Sequence, residues 1–333
     1  MSGPAAGEPA RLVARVSRFG DATAMVLARE AIRPPRGNEG VVRVTHASLG
    51  STDVLARRGG YVLHPSPGFI GGYDFVGELL TESAVSVALG LREGATVVGV
   101  LPGMGAHATF VTVAPTLLVA LPEGMDPAAA AVLPLDGVTA AHALELARSP
   151  RRVLVQGASG AVGSLAAQLA LRDGLTVVGT ASARTADRAR ALGIPVVDHT
   201  APDWPDRVVQ AAGGPVDAVI DHTGTDRVRD ALAPGGVVVR TAFTGRPGHE
   251  RADSLRGGLG AAGHRWERVC SAPLYVATRR NAYRRMLSGL LAAAASGELT
   301  TAEPRIHPFD QLWEAHRAAE AAEPGTKVVL AVG

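Results

Sequence analysis

The stretch VLVQGASGAVGSLAAQLALRDGLTVVGTAS, residues 153–182, decides the fold of this 333-residue chain. It consists of an apolar run, a glycine-rich turn, an amphipathic segment and a second apolar run. After the turn, apolar residues recur at helical spacing, at Val162, Leu165, Ala166 and Leu169, which predicts a helix with one buried face. A strand, a turn, a helix and a second strand in this order are typical of a parallel βαβ unit.

The glycine turn has the spacing of a dinucleotide-binding fingerprint, with alanine at its first position. The second and third positions are glycines, one to let the backbone approach a pyrophosphate and one to let the helix pack closely on the strand. The N–H groups and the positive dipole end of the helix would face the turn, which suits phosphate. A turn that is glycine-rich for steric reasons alone is the alternative. The predicted cofactor-binding residues of the turn are Ala158, Ser159, Gly160, Ala161, Val162 and Gly163.

The residues after the second strand favour NADPH over NADH. The 2'-hydroxyl of NADH is normally bound by Asp or Glu at this point, but the sequence has TASAR at 180–184, and the next carboxylate is Asp187. Ser182 and Arg184 are therefore predicted to bind the 2'-phosphate of NADPH, the arginine through a charge-assisted contact. An ordinary surface role for Arg184 is the alternative.

The rest of the chain divides by pattern. From 11 to 120, short β-like runs alternate with Gly and Pro, which indicates a barrel or a sandwich. Later strands alternate with helices, which indicates a parallel sheet and an α/β fold class. The chain then returns through a helical segment at 277–296 to a last strand, TKVVLAV. The predicted helices before this return lie at 127–133, 138–148, 160–173, 185–192, 203–212 and 225–233.

Composition excludes several function classes. Aromatic residues make up 4% and the net charge is +2, so a nucleic-acid surface is not expected. Cys270 is the single cysteine, which excludes an intrachain disulfide and a multi-cysteine metal site. Lys327 is the single lysine, which excludes a Tyr-x-x-x-Lys pair and a Walker loop. With no secretory signal pattern and no membrane-length apolar run, a soluble cytoplasmic protein without a membrane partner is expected.

Several short motifs occur in the order of a known family. They are STDVLARRGGY at 51–61, GGYDFVGE at 71–78, LPEG at 121–124, Thr139-Ala140, the glycine turn, VDAVID at 216–221, PGG at 234–236 and KVVL at 327–330. Over nearly its whole length, the chain resembles the zinc-independent quinone oxidoreductase branch of the medium-chain dehydrogenase/reductase superfamily. The resemblance implies a GroES-like β-barrel catalytic domain at 1–125 and 271–333, around a Rossmann NADPH-binding domain with a doubly wound parallel sheet at 126–270. It also implies an active-site cleft between the two domains.

Zinc is not expected. Zinc-dependent members of the superfamily have a cysteine where this chain has Gly50, a His–Glu pair where it has Tyr73 and Asp74, and a four-cysteine lobe that is missing here. None of the ten histidines has a second histidine three or four residues on. Without a metal to polarise a carbonyl, hydride transfer to a conjugated acceptor is favoured over alcohol oxidation. The predicted function is an NADPH-dependent reductase of a quinone or an α,β-unsaturated carbonyl.

The resemblance assigns the substrate cleft to Gly50, Leu55 and Tyr61. Tyr61 matches the proton-donating tyrosine of related enoyl-thioester reductases, and the alternative is that it only lines the cleft. Relatives often have Asn in place of Gly50 and an aromatic residue in place of Leu55, so the cleft is expected to differ in shape.

The resemblance also assigns cofactor contacts to Thr139, His199 and Phe243. His199 would support the 2'-phosphate or simply end the third strand, and Phe243 would lie beside the nicotinamide or pack in the core. A homodimer is expected, paired through an edge strand near 267–276. Two functional alternatives stay open: an enoyl-thioester or polyketide-tailoring reductase, and a catalytically weak NADPH-binding protein.

Overall fold

Strands and helices alternate along the computed structural model, which describes residues 9–243, 245–246 and 248–332. The strands of this part of the chain are β1 (Ala10–Val16), β2 (Met25–Ala31), β3 (Gly40–Leu49), β4 (Asp74–Leu79), β5 (Thr96–Val100), β6 (Phe110–Val113), β7 (Leu118–Ala120), β8 (Arg152–Val155), β9 (Thr176–Ala181), β10 (Val196–Asp198), β11 (Val216–Asp221), β12 (Leu232–Arg240), β13 (Glu267–Val269), β14 (Glu303–Pro308) and β15 (Thr326–Ala331). The α-helices are α1 (Ser51–Arg57), α2 (Ala84–Ala88), α3 (Pro127–Ala131), α4 (Pro134–Leu146), α5 (Ala161–Arg172), α6 (Ala186–Arg190), α7 (Trp204–Ala212), α8 (Glu250–Gly263), α9 (Ala272–Thr278), α10 (Arg280–Ala295) and α11 (Leu312–Glu320). None of these helices is both long enough and apolar enough to cross a membrane.

The chain forms two compact units. The central unit is Asp136–Ala272, and the terminal unit combines the chain up to Leu135 with the chain from Pro273 onward. The central unit contains a six-stranded parallel sheet in the order β10-β9-β8-β11-β12-β13. Numbered within the unit, this order is 3-2-1-4-5-6, the arrangement of dinucleotide-binding sheets. The predicted parallel sheet is confirmed.

The core of the central unit follows from its apolar strands. Val153, Leu154 and Val155 of β8 are fully buried, as expected for a parallel strand that is covered on both faces. Trp204 and Val208 of α7 are part of the same buried cluster as Leu154. The apolar runs in the opening stretch are therefore interior strands, and the turn between them lies at the carboxyl end of β8.

The terminal unit is built on a mixed seven-stranded sheet. Its order is β14-β15-β3-β4-β5-β7, and β6 also pairs with β3. β14 and β15 are parallel, whereas the other neighbouring pairs are antiparallel. β1 and β2 form a separate antiparallel pair. Because β15 lies directly beside β3, the last strand of the chain is an integral part of the sheet that its first third begins.

Three local expectations were wrong. The predicted helix at 225–233 is a short 3-10 helix, Asp226–Ala231, because β12 begins directly after it. The predicted helix at 277–296 is divided between α9 and α10, because Arg279 has a non-helical backbone. The predicted edge strand at 267–276 is only the three-residue β13, and α9 begins at Ala272.

Candidate functional site

The glycine turn between β8 and α5 depends on two glycines. Gly157 has φ +61, and a Cβ there would lie 2.4 Å from Cε1 of His222. A Cβ at Gly163 would lie 2.3 Å from the carbonyl oxygen of Gly157, so α5 packs directly on the turn. The tight left-handed position is therefore Gly157. The sequence pattern had placed the first fingerprint position one residue later, at Ala158.

The turn leaves the start of α5 open to a ligand. Gly160 is the N-cap of α5, and no side chain in the described chain caps this end. Ala161 is exposed and Val162 is half-buried, whereas Ala158 is buried beneath them. Uncapped N–H groups at a helix N-terminus, beside a backbone without bulky side chains, fit a pyrophosphate. The residues present therefore fit the phosphate group of a dinucleotide.

Thr180, on the neighbouring strand β9, fixes the turn. The backbone N–H of Ala158 donates to the carbonyl oxygen of Thr180 at 2.9 Å, and the N–H of Gly157 donates to its hydroxyl oxygen at 3.2 Å. The Thr180 hydroxyl in turn donates to the side-chain oxygen of Gln156. These contacts hold the glycine turn against the strand that ends at the predicted 2'-phosphate position. Sequence reasoning did not identify Thr180 or Gln156 as supporting residues.

Three side-chain hydroxyls meet at the end of β9, and we call them the hydroxyl cluster. The Ser159 hydroxyl donates to Oγ1 of Thr185 at 3.0 Å, and Oγ of Ser182 lies 3.2 Å from the same atom. The fold thus brings together two predicted cofactor residues, Ser159 and Ser182, through Thr185, which the sequence did not single out. Arg184 is exposed beside them and forms no hydrogen bond or ion pair within residues 9–243, 245–246 and 248–332.

The other predicted cofactor residues have defined surroundings in the central unit. His199 is exposed directly after β10. Thr139 is half-buried on α4, and its carbonyl oxygen accepts a hydrogen bond from the thiol of Cys270 at 3.7 Å. The Phe243 ring packs on α8, because a Cβ at Gly257 would lie 2.5 Å from Cδ1 of Phe243.

Two tyrosine hydroxyls pair in the terminal unit. The hydroxyl oxygens of Tyr61 and Tyr73 are 2.9 Å apart, and the rings meet edge to face. Tyr73 is only 2% exposed, whereas Tyr61 is half-buried. Burial raises the pKa of Tyr61, although the hydrogen bond with Tyr73 opposes this rise. Burial also raises the pKa of Tyr73. Both phenols therefore keep their protons at neutral pH.

The backbone on either side of the tyrosine pair is tightly held. The Asp53 carboxylate accepts hydrogen bonds from the N–H groups of Gly50 and Gly72, both at 2.9 Å. Gly72 has φ +85, and a Cβ there would lie 2.3 Å from Cδ2 of His107. Asp53 thus joins the start of α1 to the turn before Tyr73, and His107 packs against that turn. Leu55 is half-buried on α1.

A buried ion pair follows Tyr73. Asp74 is 1% exposed and lies 3.6 Å from Nζ of Lys327, the single lysine of the chain. Asp74 also accepts hydrogen bonds from the Ser48 hydroxyl at 2.9 Å and the Leu135 N–H at 3.0 Å. A Cβ at Gly50 would lie 3.4 Å from Cε of Lys327. In the described part of the chain, no group of three or more His, Cys, Asp or Glu side chains could hold a metal ion.

A second buried charge cluster lies in the central unit, and sequence reasoning missed it. Arg240, at the end of β12, donates to Asp221 at 2.8 Å and to both carboxylate oxygens of Glu267 at 3.1 Å. Arg229 also donates to Glu267. Burial by itself raises the pKa of Glu267, but the hydrogen bonds from Arg240 and Arg229 outweigh it and hold this pKa below its usual value. We call Asp221, Arg240 and Glu267 the charge triad.

Comparison with known proteins gives a consistent result. Residues 193–330 match the model of the zinc-binding dehydrogenase family. The quinone oxidoreductase of Sus scrofa is 24% identical over 322 residues, which cover 94% of each chain. A trans-enoyl reductase of Aspergillus japonicus is 32% identical over 204 residues, which cover 56% of this chain and 58% of that relative. The chain thus spans just over half of the length of this relative.

A solved structure shares the whole fold. The quinone oxidoreductase of Coxiella burnetii has a TM-score of 0.78 and 25% identity, and the match covers 97% of this chain and 100% of that chain. Structures of this group combine a GroES-like domain with a Rossmann domain, which confirms the predicted fold class. By the partial family match, the relatives and the shared fold, the chain is similar to oxidoreductases of the quinone oxidoreductase-like branch of the medium-chain dehydrogenase/reductase superfamily.

Proposed function

We propose that the chain is an NADPH-dependent, zinc-independent reductase that transfers a hydride to a quinone or an α,β-unsaturated carbonyl. The observation that carries this proposal is the end of β9, where the hydroxyl cluster and Arg184, which has no partner among the described residues, stand in place of a carboxylate. Hydroxyl and guanidinium donors suit a 2'-phosphate, whereas a carboxylate would suit a 2'-hydroxyl.

The central unit would hold the cofactor. The uncapped N-terminus of α5, with Gly160 and Gly163, would bind the pyrophosphate. Ser182 and Arg184 would bind the 2'-phosphate, and His199 would lie near it. Thr139 and Phe243 would be placed towards the nicotinamide. When bound, NADPH would supply the hydride.

The terminal unit would supply the proton. Tyr61 is half-buried and keeps its proton at neutral pH, because burial raises its pKa. It would protonate the oxygen or the α-carbon of the acceptor after the acceptor has received a hydride. Gly50 and Leu55 would line the substrate side of the same unit.

We propose that this chemistry uses no zinc. The positions of the metal ligands in zinc-dependent members hold Gly50, Tyr73 and Asp74, and the carboxylate of Asp74 is engaged by Lys327, Ser48 and the Leu135 N–H. A conjugated acceptor is already electrophilic. Hydride transfer to it therefore does not need a metal ion to polarise a carbonyl group.

An enoyl-thioester is the second candidate substrate. It is favoured by the 32% identity to the Aspergillus trans-enoyl reductase. Reduction of its double bond would use the same hydride and the same proton donor. We also propose a homodimer that pairs along the edge strand β13, beyond which no further strand of the described sheet lies.

The test is a panel of acceptors under anaerobic conditions. Oxidation of NADPH and NADH would be followed with simple quinones, enones and an enoyl thioester side by side. NADPH-selective turnover of quinones or enones is expected, and selective turnover of the thioester would favour the second candidate. Cofactor binding without turnover of any acceptor would contradict the proposal and favour a binding protein.

A further inference from the structure

We propose that Tyr73 is a positioning residue that donates its hydrogen bond to Tyr61 and thereby directs the Tyr61 proton towards the substrate. This inference rests on the proposed function, in which Tyr61 is the proton donor. It adds Tyr73 to the proposed proton-donating site and states which tyrosine donates the hydrogen bond. It follows from the difference in burial between the two tyrosines.

Either phenol could donate across the 2.9 Å between the two oxygens. The Tyr73 side chain is 2% exposed, and in the described part of the chain its hydroxyl has no hydrogen-bond partner other than Tyr61. If Tyr61 donated, the Tyr73 proton would be buried without an acceptor, and an unsatisfied buried donor is costly. If Tyr73 donates, its proton is satisfied. Burial therefore selects Tyr73 as the donor of this hydrogen bond.

This direction leaves the proton of Tyr61 available. Tyr61 is half-buried, so its own O–H can reach a substrate or water while its oxygen accepts from Tyr73. During the reaction, the acceptor gains a hydride at one carbon and a proton from Tyr61 at its oxygen or α-carbon. The Tyr61 O–H bond breaks, and the electron pair stays on the phenolate oxygen. The hydrogen bond from Tyr73 stabilises this phenolate until solvent returns a proton.

The surrounding contacts keep Tyr73 in place. The preceding Gly72 is held by Asp53 and packed against His107, and the following Asp74 is held by Lys327. A buried ring between two fixed neighbours cannot easily turn its hydroxyl away from Tyr61. A precisely held partner is what positioning of a catalytic group requires.

The first experiment needs no substrate. Ionisation of tyrosine would be followed by near-ultraviolet absorbance in the wild type and in Tyr73→Phe, and the Tyr61 step would be assigned by its loss in Tyr61→Phe. The chain has four tyrosines, so single steps can be separated. Because a donated hydrogen bond stabilises the phenolate, Tyr73→Phe should shift the Tyr61 step upward by about one pH unit, which is a tenfold change in the ionisation constant. An unchanged or lowered step would overturn the proposal.

The second experiment is a double-mutant cycle in turnover. Tyr73→Phe should lower kcat about tenfold, with cofactor binding unchanged, but it should have no further effect in a Tyr61→Phe background. An equal loss in both backgrounds would mean a structural role for Tyr73 and would overturn the proposal. Tyr283→Phe is the matched control, because it removes another buried hydroxyl of the same unit, which bonds Val100 and Leu117 instead.

The two possible failures are distinguishable. If no acceptor is turned over, the proposed function fails, and the substrate-free titration still decides the direction of the hydrogen bond. If turnover is normal and the titration step does not move in Tyr73→Phe, the proposed function stands and the role of Tyr73 is wrong.

Discussion

A single arginine is expected to set the choice between the two nicotinamide cofactors. Arg184 is exposed, lies beside the hydroxyl cluster and has no partner in the described chain. Arg184→Ala should weaken NADPH binding about ten- to hundredfold, because one charge-assisted hydrogen bond contributes about 1.5–3 kcal/mol. NADH binding should hardly change, since NADH has no 2'-phosphate. Titration calorimetry with both nucleotides measures this difference.

Arg188→Ala is the matched control for this prediction. Arg188 is also exposed, is close in sequence and forms no ion pair among the described residues. Its loss should weaken NADPH binding only through the long-range effect of removing one positive charge, and salt screens this effect. Equal losses for Arg184→Ala and Arg188→Ala, or equal losses for the two nucleotides, would contradict a specific contact with the 2'-phosphate.

Some features of single residues could be predicted from sequence and others could not. Gly163 was identified as a close-packing glycine from local spacing, and its contact with Gly157 agrees with this. The role of Arg184 at the end of β9 comes from the same short segment and stays a prediction. Thr185 and Lys327 were not identified as site-forming residues, because their partners come from other segments: Ser159 reaches Thr185 across a helix and a strand, and Asp74 meets Lys327 from the opposite end of the chain. Local patterns do not specify such contacts.

The turn between β8 and α5 is expected to tolerate no side chain at Gly163. A Cβ there would lie 2.3 Å from the carbonyl oxygen of Gly157, which is a backbone atom that cannot rotate away. Gly163→Ala should therefore lower the free energy of unfolding by about 1–3 kcal/mol, as expected for overpacking. It should also weaken NADPH binding, because α5 must move from the turn. Denaturant unfolding and nucleotide titration measure the two effects.

Gly260→Ala separates this effect from the helix propensity of alanine. Gly260 lies in α8, in the same unit, and no atom lies within 4 Å of a Cβ built there. Alanine should stabilise that helix by up to about 1 kcal/mol, with nucleotide binding unchanged. If Gly163→Ala behaved like Gly260→Ala, the close packing of α5 on the turn would be wrong.

At the scale of elements, the long alternating part of the chain was predictable and the short elements were not. The predicted helix at 160–173 corresponds closely to α5, because its apolar spacing and its glycine start are strong local signals. The helix α8 was missed, since it has four glycines and no clear apolar stripe. The 3-10 helix at Asp226–Ala231 was read as an α-helix, because composition does not show that β12 begins directly after it.

In the central unit, the charge triad is expected to make stability depend on pH. Arg240→Met would leave Asp221 and Glu267 buried without their main cation, and breaking a buried pair costs about 3–5 kcal/mol. In the wild type, the pKa of Glu267 is lowered on folding, so its contribution is present above the unfolded pKa of about 4.3 and is lost as the pH falls through the folded value. Without Arg240, burial should instead raise this pKa.

The free energy of unfolding that Arg240→Met loses relative to the wild type should therefore be largest at neutral pH. This deficit should shrink on acidification, as Glu267 takes up a proton. Urea unfolding at a series of pH values measures this. Arg207→Met is the control, because its ion pair with Asp203 is exposed and is expected to contribute at most about 1 kcal/mol. A deficit that is constant with pH would show that Arg240 stabilises the unit by packing rather than by charge.

At the scale of the whole chain, the return of the C-terminal segment to the first sheet was foreseen only through the family resemblance. The pattern TKVVLAV predicts a strand, but it does not specify the partner of that strand. In the structure β15 pairs with β3, with Val328 opposite Leu49. The parallel order of the central sheet was predictable, because each strand is joined to the next by a helical connection. The charge triad was not, since its members are distant in sequence.

Two copies of the chain are expected to pair along the edge of the central sheet. β13 ends the central sheet, and Val269 on this strand is 44% exposed, so a second copy could extend the sheet there. In a symmetric dimer each residue of the edge faces its own copy or a near neighbour, so Val269→Arg would place two like charges at the interface. Sedimentation velocity at micromolar concentration should show a dimer for the wild type and a monomer for Val269→Arg. Leu63→Arg, at a residue 49% exposed in the terminal unit, should remain a dimer. A wild-type monomer would exclude the pairing, and a dimer that persists in Val269→Arg would mean that the copies meet through another surface.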